Sequence, residues 1–381
     1  LDAMMGLART SYANVHRGIH TLSEESTTRY EQSRTSLAKF VNARHDHEII
    51  YTAGTTAGIN LVAHSWGTQN LSSNDTILLT IAEHHANIVP WQQLASRVGC
   101  RIEFLPLQDD FSIETDAVQS ALERLQPKLF AFTAASNVLG TNFPVTEWTR
   151  LAHEHDSTVL VDAAQAAPHQ VIDVQAWDAD FVVFSGHKVC GPNGIGVLYG
   201  KDKFLEAMPP FLGGGGMIHR VTTDGFESAE LPDKFEAGTP PIVEAIALEA
   251  AIDYVTAIGL TEIHQHEKRL AAHAESGLRN IEGVRVISPQ SGTKSGILSF
   301  VLSNAHSHDV AHSLDARGIA VRAGHHCTMP LHQALGISAT TRASFYLYNT
   351  MAEADRLIEA VTEVQKLFAP SGRKRRRRNT P

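Results

Sequence analysis

The sequence predicts an α/β protein with a large domain, built on a mainly parallel sheet flanked by helices, and a smaller α+β domain at its carboxyl end. Short apolar runs alternate with longer helical patterns through the first two-thirds of the 381 residues, which is typical of parallel strands joined by helices. The order then changes to helix, strand, strand, helix. A chain of this length also exceeds what one hydrophobic core usually supports.

Six short, apolar runs bounded by turn residues are predicted to be strands. They span 76–81, 102–107, 129–133, 158–162, 181–185 and 196–199. Five longer runs with apolar residues at helical spacing are predicted to be helices, at 27–41, 56–65, 87–98, 146–154 and 243–258. Residues 213–233 begin with four glycines and continue as a polar stretch, so we expect a loop there.

We place the boundary between the two domains near residue 253. Residues 1–253 are then the large domain and 254–368 the small domain. Residues 369–381 form a basic tail, expected to be disordered because six Lys and Arg residues follow a Pro-Ser-Gly break. The chain begins inside an amphipathic helical pattern, so we expect that a natural amino-terminal segment is missing before it.

Composition argues against several classes of function. The chain carries 32 basic and 41 acidic residues, and because six of the basic residues lie in the tail, the acidic body disfavours nucleic acid as the main ligand. No apolar run approaches the roughly 20 residues of a membrane span. Three scattered cysteines indicate neither a disulfide framework nor a Cys-rich zinc site, and they suit a reducing cytoplasm.

Two ionisable side chains follow predicted buried strands. Lys188 ends a Ser-Gly-His-Lys turn after strand 181–185, where burial would lower the amine pKa and make it a Schiff-base nucleophile. The alternative is a lysine that reaches solvent. Asp162 ends strand 158–162 and is suited to pair with a pyridinium nitrogen or to cap a helix. The two together favour a cofactor.

A phosphate site is predicted where a glycine turn precedes the helix at 56–65. Thr55 and Thr56 supply hydroxyls beside backbone amides at the helix start, and Ser185 and His187 are expected to reach the same phosphate. The alternative is an ordinary capped helix, and the Walker lysine is absent. His84 follows another strand, where its ring would stack on a planar ligand; metal binding is the competing interpretation, disfavoured because adjacent histidines point to opposite faces.

A Val-Arg-Ala-Gly-His-His-Cys run ends at Cys327. Arg322 and the histidines would lower the thiol pKa and raise its reactivity, whereas Cys100 and Cys190 lie in apolar contexts typical of inert core thiols. A zinc site is the alternative for the His-His-Cys run. Arg342 opens an apolar, aromatic run and is suited to grip a carboxylate, with a surface salt bridge as the alternative.

These segments together resemble the class V aminotransferases, which are fold-type I pyridoxal-phosphate (PLP) enzymes, and most closely the SufS-type, group II cysteine desulfurases. The resemblance extends over almost all of the chain before residue 369. It is carried by Val-His-Arg-Gly-Ile-His at 15–20, Gly-Thr-Thr at 54–56, Glu-His-His-Ala-Asn-Ile-Val-Pro-Trp at 83–91, Ser-Asn-Val-Leu-Gly at 136–140, Asp-Ala-Ala-Gln at 162–165, Ser-Gly-His-Lys at 185–188, Phe-Glu-Ala-Gly-Thr-Pro at 235–240, the segment 322–330, and Tyr-Asn-Thr at 348–350.

The resemblance implies pyridoxal 5'-phosphate as cofactor, with Lys188, Cys327 and His84 as catalytic residues. L-cysteine would be converted to L-alanine and its sulfur passed to Cys327 as a persulfide. The implied cofactor contacts are Lys188, Asp162 for the ring nitrogen, Gln165 for the ring hydroxyl, His84 for stacking, and Thr55, Thr56, Ser185 and His187 for the phosphate, joined by Thr239 from the other subunit of a homodimer. The implied substrate contacts are Asn137, Arg322 and Arg342.

The short segment around Cys327 implies transfer of sulfur to a SufE- or SufU-type acceptor for iron–sulfur cluster assembly. Three features depart from the family pattern: its amino-terminal segment is absent, Ala57 stands where glutamate is common, and the basic tail has no counterpart. Two alternatives stay open, a selenocysteine lyase acting on L-selenocysteine with the same scaffold, and a PLP-binding scaffold that is catalytically impaired.

Overall fold

The computed structural model describes residues 1–289 and 292–369. Its strands are β1 (Ile49–Thr52), β2 (Thr76–Thr80), β3 (Arg101–Leu105), β4 (Leu129–Thr133), β5 (Thr158–Asp162), β6 (Phe181–Ser185), β7 (Gly196–Gly200), β8 (Ile218–Val221), β9 (Phe226–Ser228), β10 (Val284–Val286), β11 (Ile297–Leu302), β12 (Arg322–Gly324) and β13 (Thr340–Ser344). The predicted tail lies outside the described residues, except for Ala369.

The described α-helices are α1 (Asp2–Thr10), α2 (Thr21–Phe40), α3 (Thr55–Val62), α4 (Thr68–Asn70), α5 (Val89–Val98), α6 (Thr115–Leu125), α7 (Val145–Glu154), α8 (Val174–Trp177), α9 (Asp202–Ala207), α10 (Ile242–Ile258), α11 (Leu260–Arg279), α12 (Ser307–Asp315), α13 (Met329–Ala334) and α14 (Met351–Phe368). Among the described residues, no helix is both long enough and apolar enough to cross a membrane.

Seven strands form a large sheet in the order β1-β7-β6-β5-β4-β2-β3. Strands β2 to β6 run parallel to their neighbours in that set, and β7 runs antiparallel to both β6 and β1. All six predicted strands are present as β2 to β7, with ends that shift by at most two residues, and the five predicted helices are α2, α3, α5, α7 and α10. The predicted α/β class is confirmed.

The large sheet is buried on both faces, which explains why its strands read as continuous apolar runs. On β4, Phe130 and Phe132 enter the core on one side, and Leu129 and Ala131 enter the core on the other. This alternation follows from the two-residue period of a strand. Helices on both faces therefore leave only the strand ends free to form a site.

A small antiparallel sheet follows in the order β10-β11-β13-β12. It packs against α11, α12 and α14, and Leu298, Phe300, Leu270 and Val361 belong to its separate core. The division at residue 253 stays a prediction; that position lies within α10, which packs against α2.

Part of the predicted loop at 213–233 is a β-hairpin, so the expectation of a plain loop was wrong. Strands β8 and β9 pair with Val221 opposite Phe226, and the N–H of Thr222 donates to the carbonyl of Gly225 across the turn at 2.8 Å. Most of the hairpin is exposed, so its sequence lacks the alternation of apolar and polar residues that indicates a half-buried strand.

A buried ion pair fastens α2 to the segment after this hairpin. The guanidinium of Arg34 donates to both carboxylate oxygens of Glu236, at 2.8 and 2.9 Å. The hydroxyl of Tyr30 and the N–H of Tyr51 also donate to this carboxylate, at 2.9 and 2.7 Å. Arg34 further donates to the carbonyl of Ile49 at 2.7 Å. Every charged oxygen and most of the guanidinium are thereby hydrogen-bonded.

Candidate active site

The predicted site residues meet at one edge of the large sheet. His84 follows β2, Asn137 follows β4, Asp162 ends β5 and Lys188 follows β6. Parallel strands end at the same edge, and ligands of open α/β sheets bind at that edge. His84 and Lys188 are 104 positions apart in the sequence, and both line the same cavity because their strands end at this edge of the sheet.

A cavity of about 260 Å³ opens at this edge, near the lower end of the size of small-ligand sites. Its lining residues are Thr55, Thr56, His84, Ala86, Thr133, Ala135, Asn137, Asp162, Ala164, Gln165, Ser185, His187, Lys188, Arg322 and Arg342. Eleven of these were predicted from the sequence. Thr133 was missed, although its place at the end of β4 is the same signal that identified Asp162.

One corner of the cavity is rich in hydrogen-bond donors. The N–H of Thr55, the first residue of α3, donates to the hydroxyl of Ser185 at 2.8 Å, and the two hydroxyls lie 2.7 Å apart. Gly54, just before the helix, has a φ of +143°, and a Cβ there would lie 3.2 Å from the Ser185 hydroxyl. The start of α3 thus presents amides and hydroxyls where an anion is favoured.

Lys188 and Asp162 influence each other's ionisation. Burial lowers the pKa of Lys188, assisted by the nearby charges of Arg342 and Arg322 and opposed by Asp162. Burial raises the pKa of Asp162, opposed by Lys188 and by the N–H of Ala164, which donates to the carboxylate at 2.9 Å. An amine with a lowered pKa is more often neutral and nucleophilic.

The ring of His84 is neutral and has a defined tautomer. Burial, assisted by the charge of Lys188, lowers the pKa of His84 to about 4. Its Nδ1 accepts the N–H of Ala86 at 3.0 Å, so the single proton of the neutral ring resides on Nε2.

A buried network holds the segment that carries His84. Glu83 is fully buried and accepts hydrogen bonds from the Thr80 hydroxyl at 2.5 Å, the Asn87 amide at 2.7 Å and the Thr133 N–H at 3.1 Å. The indole of Trp91 donates to Asn87 at 2.9 Å, which fixes the orientation of that amide. Burial raises the pKa of Glu83 to about 8. This network was not predicted from the sequence.

Cys327 lies beside the cavity and does not line it. It is half-buried, in a turn between β12 and α13, and its Sγ is 3.9 Å from Nη2 of Arg322, which does line the cavity. Both His326 and Cys327 adopt left-handed backbone conformations, with φ of 50° and 60°. Such angles are uncommon for residues with a side chain and persist only where the surroundings hold them.

Arg342 is poised for an anion. Its Nη1 donates to the carbonyl of Asn137 at 3.0 Å, while the buried Nε has no hydrogen-bond partner among the described residues. Burial, assisted by Arg322, lowers the pKa of Arg342 to about 10. The amide of Asn137 meanwhile donates to the carbonyl of His326 at 2.8 Å. A buried guanidinium without a carboxylate is costly, and a bound carboxylate would offset that cost.

Neither Thr239 nor Cys190 lines this cavity. Thr239 lies away from this cavity and lines a second one of about 350 Å³, together with Tyr51 and Glu236; its contribution from a partner subunit stays a prediction. The expectation for Cys190 as an inert core thiol was wrong: it is exposed, with Sγ 3.7 Å from the hydroxyl of Tyr346. The preceding residue, Val189, is buried in the core, whereas Cys190 is exposed and has a left-handed φ of 58°.

Comparison with known proteins agrees with this geometry. The aminotransferase class-V family matches residues 1–357. A probable cysteine desulfurase of Staphylococcus epidermidis is 47% identical over 357 residues, which cover 94% of this chain and 86% of the relative. A cysteine desulfurase of Cronobacter sakazakii is 47% identical over 369 residues, covering 97% of this chain and 90% of the relative.

Two solved structures are also similar. The apo structure of a cysteine desulfurase from Thermococcus onnurineus has a TM-score of 0.92 and 39% identity, covering 96% of this chain and 90% of that chain. The crystal structure of the cysteine desulfurase CsdA from Escherichia coli, in its S-sulfonic acid form, has a TM-score of 0.89 and 38% identity. The match covers 96% of this chain and 91% of that chain. With a family match across most of its length and relatives this similar, the chain belongs to the class V aminotransferase family.

Proposed function

We propose that this chain is a PLP-dependent cysteine desulfurase of the SufS type, which converts L-cysteine to L-alanine and receives the sulfur on Cys327. The observation that carries the proposal is that one cavity brings together a nucleophilic amine and a thiol. An amine with a lowered pKa, Lys188, lies inside it, and a thiol beside Arg322 lies at its edge. A transaminase or epimerase has no use for that thiol.

The residues present fit pyridoxal 5'-phosphate. Lys188 would hold the cofactor through its amine and Asp162 would face the pyridine nitrogen. Gln165 would face the ring hydroxyl, and His84 would lie against the ring. The proposed phosphate contacts are Thr55, Thr56, Ser185 and His187 in this chain, with Thr239 from a second copy in a homodimer. The donor-rich start of α3 supports the phosphate assignment, since it offers no acidic group to repel an anion.

The cofactor, when bound, acts as an electron sink that stabilises negative charge on the substrate carbon next to its amine. Asp162 would keep the ring nitrogen protonated by placing a buried carboxylate beside it. Lys188 would remove the Cα proton and return protons to the product, because its amine is buried in the same cavity and has a lowered pKa.

Arg342 is assigned to the substrate carboxylate, with Asn137 beside it and Arg322 close to the substrate. The buried Nε of Arg342 has hydrogen-bonding capacity to spare among the described residues. A guanidinium binds a carboxylate through two parallel hydrogen bonds, so this contact would fix the amino acid's orientation as well as its affinity.

Sulfur transfer then needs only Cys327 as thiolate. Its Sγ would attack the substrate sulfur, an S–S bond would form and the substrate Cβ–S bond would break, with the electron pair going to Cβ. Protonation of Cβ yields L-alanine, and Cys327 is left as a persulfide. The guanidinium of Arg322 lies 3.9 Å from this Sγ. Atoms and electrons balance without an external oxidant or reductant.

The test compares Cys327→Ser with Cys190→Ser in PLP-loaded protein. With L-cysteine, wild type and Cys190→Ser are expected to form alanine and to gain one sulfur atom at Cys327, measured by amino-acid analysis and peptide mass spectrometry. Cys327→Ser is expected to retain the cofactor absorbance and to form almost no alanine. Alanine formation by Cys327→Ser at the wild-type rate would overturn the proposed role of the thiol.

The same assay separates the alternatives. Turnover of L-selenocysteine without turnover of L-cysteine would favour a selenocysteine lyase. Cofactor absorbance that responds to neither amino acid would favour an impaired scaffold. We further propose a cytoplasmic homodimer whose sulfur passes to a SufE- or SufU-type acceptor for iron–sulfur cluster assembly, and gel filtration with light scattering tests the dimer.

A further inference from the structure

Two residues that follow strands of the large sheet contact the turn that carries Cys327: the amide of Asn137 donates to the carbonyl of His326 at 2.8 Å, and His85 makes two further bonds, at Cys327 itself and just after it. The backbone N–H of His85 donates to the carbonyl of Cys327 at 2.7 Å. The ring Nε2 of His85 accepts the backbone N–H of Met329 at 3.0 Å. These two bonds hold the chain at the thiol-bearing residue and two residues after it.

The turn needs such external support. His326 and Cys327 both have positive φ, and strained angles of this kind persist only when surrounding contacts determine them. The N–H and hydroxyl of Thr328 donate to the carbonyl of His325 at 2.8 and 2.7 Å. Those two bonds close the turn on itself, but they do not fix its place above the cavity.

His85 is well placed to give that support because its own segment is rigid. It begins the short 3-10 helix His85–Asn87, and the buried contacts of Asn87 with Glu83 and Trp91 fix that segment from below. Consecutive side chains here point in different directions: His84 lines the cavity, while the ring of His85 faces the Cys327 turn. One segment thus contributes His84 to the cavity and His85 to the support of the Cys327 turn.

We propose that His85 is a positioning residue for sulfur transfer, which holds the Cys327 turn so that the thiol lies within reach of the substrate sulfur. The proposal rests on the proposed function. It requires an acceptor at the position of Nε2. Glutamine presents an acceptor oxygen at a similar distance along the side chain, whereas leucine fills the space and accepts no hydrogen bond. Neither change removes the backbone bond to Cys327.

The experiment compares wild type, His85→Leu and His85→Gln as PLP-loaded proteins. For His85→Leu we expect kcat for alanine formation to fall by about 10- to 100-fold, the effect of misplacing a reacting group by about 1 Å. KM for L-cysteine and the cofactor absorbance should stay near wild type, because the substrate carboxylate and cofactor contacts are untouched. His85→Gln should recover most of kcat. A wild-type kcat in His85→Leu, or a Gln variant as slow as the Leu variant, would overturn the proposal.

Hydrogen exchange supplies a readout that does not depend on the reaction. Loss of the acceptor should speed exchange in a peptide spanning 325–331 in His85→Leu, while His85→Gln and peptides from β5 behave as in wild type. If wild type forms no alanine, the proposed function fails and exchange still tests the anchor. If wild type forms alanine but exchange at 325–331 is the same in all three proteins, the positioning role fails. Should His85→Leu not fold, His85→Asn, whose amide is too short to reach Met329, takes its place.

Discussion

Replacing Glu236 by glutamine should destabilise the protein by about 3–5 kcal/mol, the usual cost of leaving one partner of a buried ion pair unpaired. The carboxylate accepts four hydrogen bonds, two from Arg34 and one each from Tyr30 and Tyr51. A glutamine side chain offers a single acceptor oxygen, and its NH2 group faces donors. Arg34, whose side chain is 2% exposed, would remain charged without a buried counterion.

This free-energy loss translates into a measurable change in melting temperature. An unfolding entropy of roughly 2.1 cal/mol/K per residue gives about 0.8 kcal/mol/K for a chain of this length, so Tm should fall by about 4–6 °C. Circular dichroism of the PLP-loaded protein measures it. The matched control is Glu154→Gln, which breaks an ion pair with Arg150 on the surface of α7, where both side chains are more than half exposed. Such a pair contributes less than about 1 kcal/mol.

A double variant tests the cause. Arg34→Met combined with Glu236→Leu removes both charges, so it should be more stable than the sum of the two single losses predicts. A loss of Tm in Glu236→Gln no larger than that in Glu154→Gln would refute a stabilising role for the buried ion pair. Strict additivity of Arg34→Met and Glu236→Leu would refute it equally, because it would mean that the two side chains do not interact.

Three further perturbations have signs that follow from the structure. Gly140→Ala should lower Tm much more than Gly318→Ala does. Both glycines have positive φ, at 68° and 75°, so the backbone strain is similar. A Cβ at 140 would lie 2.4 Å from the carbonyl oxygen of Ile297, whereas a Cβ at 318 would meet no atom within 4 Å in the described structure. Burial lowers the pKa of His326 from 6.5 to about 3. The unfolded chain therefore binds a proton at His326 below about pH 6.5 that the folded protein does not bind, so the urea concentration at the unfolding midpoint should fall as pH drops from about 6.5. His326→Gln should make this midpoint less dependent on pH. Burial raises the pKa of Glu83 from 4.5 to about 8. The stability that the protonated Glu83 contributes is therefore fully present below about pH 4.5 and is lost as pH rises through 8. Glu83→Gln should remove this pH dependence of the free energy of unfolding between pH 5 and 8.

Strand ends were the most informative feature of the sequence. Lys188 and Asp162 each follow a buried apolar run, and the parallel order of those runs then requires the two side chains to meet. The ion pair between Arg34 and Glu236 was not predictable in this way, because 202 positions separate the partners and no local pattern indicates which distant charge a buried arginine contacts. Strand β1, which consists of four buried residues at the edge of the large sheet, was also missed.

The segment after β4 explains why the proposed substrate site involves both sheets. It brings Asn137 to the cavity, and a few residues later its backbone pairs with the chain that leads into β11: the N–H of Asn142 donates to the carbonyl of Thr293 at 2.9 Å, and the N–H of Ser295 to the carbonyl of Gly140 at 2.8 Å. Backbone bonds of this kind do not depend on pH or on a bound ligand. The relative position of the two sheets is therefore fixed before substrate binds. Binding of a carboxylate should reorganise side chains such as Arg342 and should not move the small sheet as a body. Because such a preformed site needs little conformational change on binding, more of the binding free energy is available to hold the substrate sulfur near Cys327.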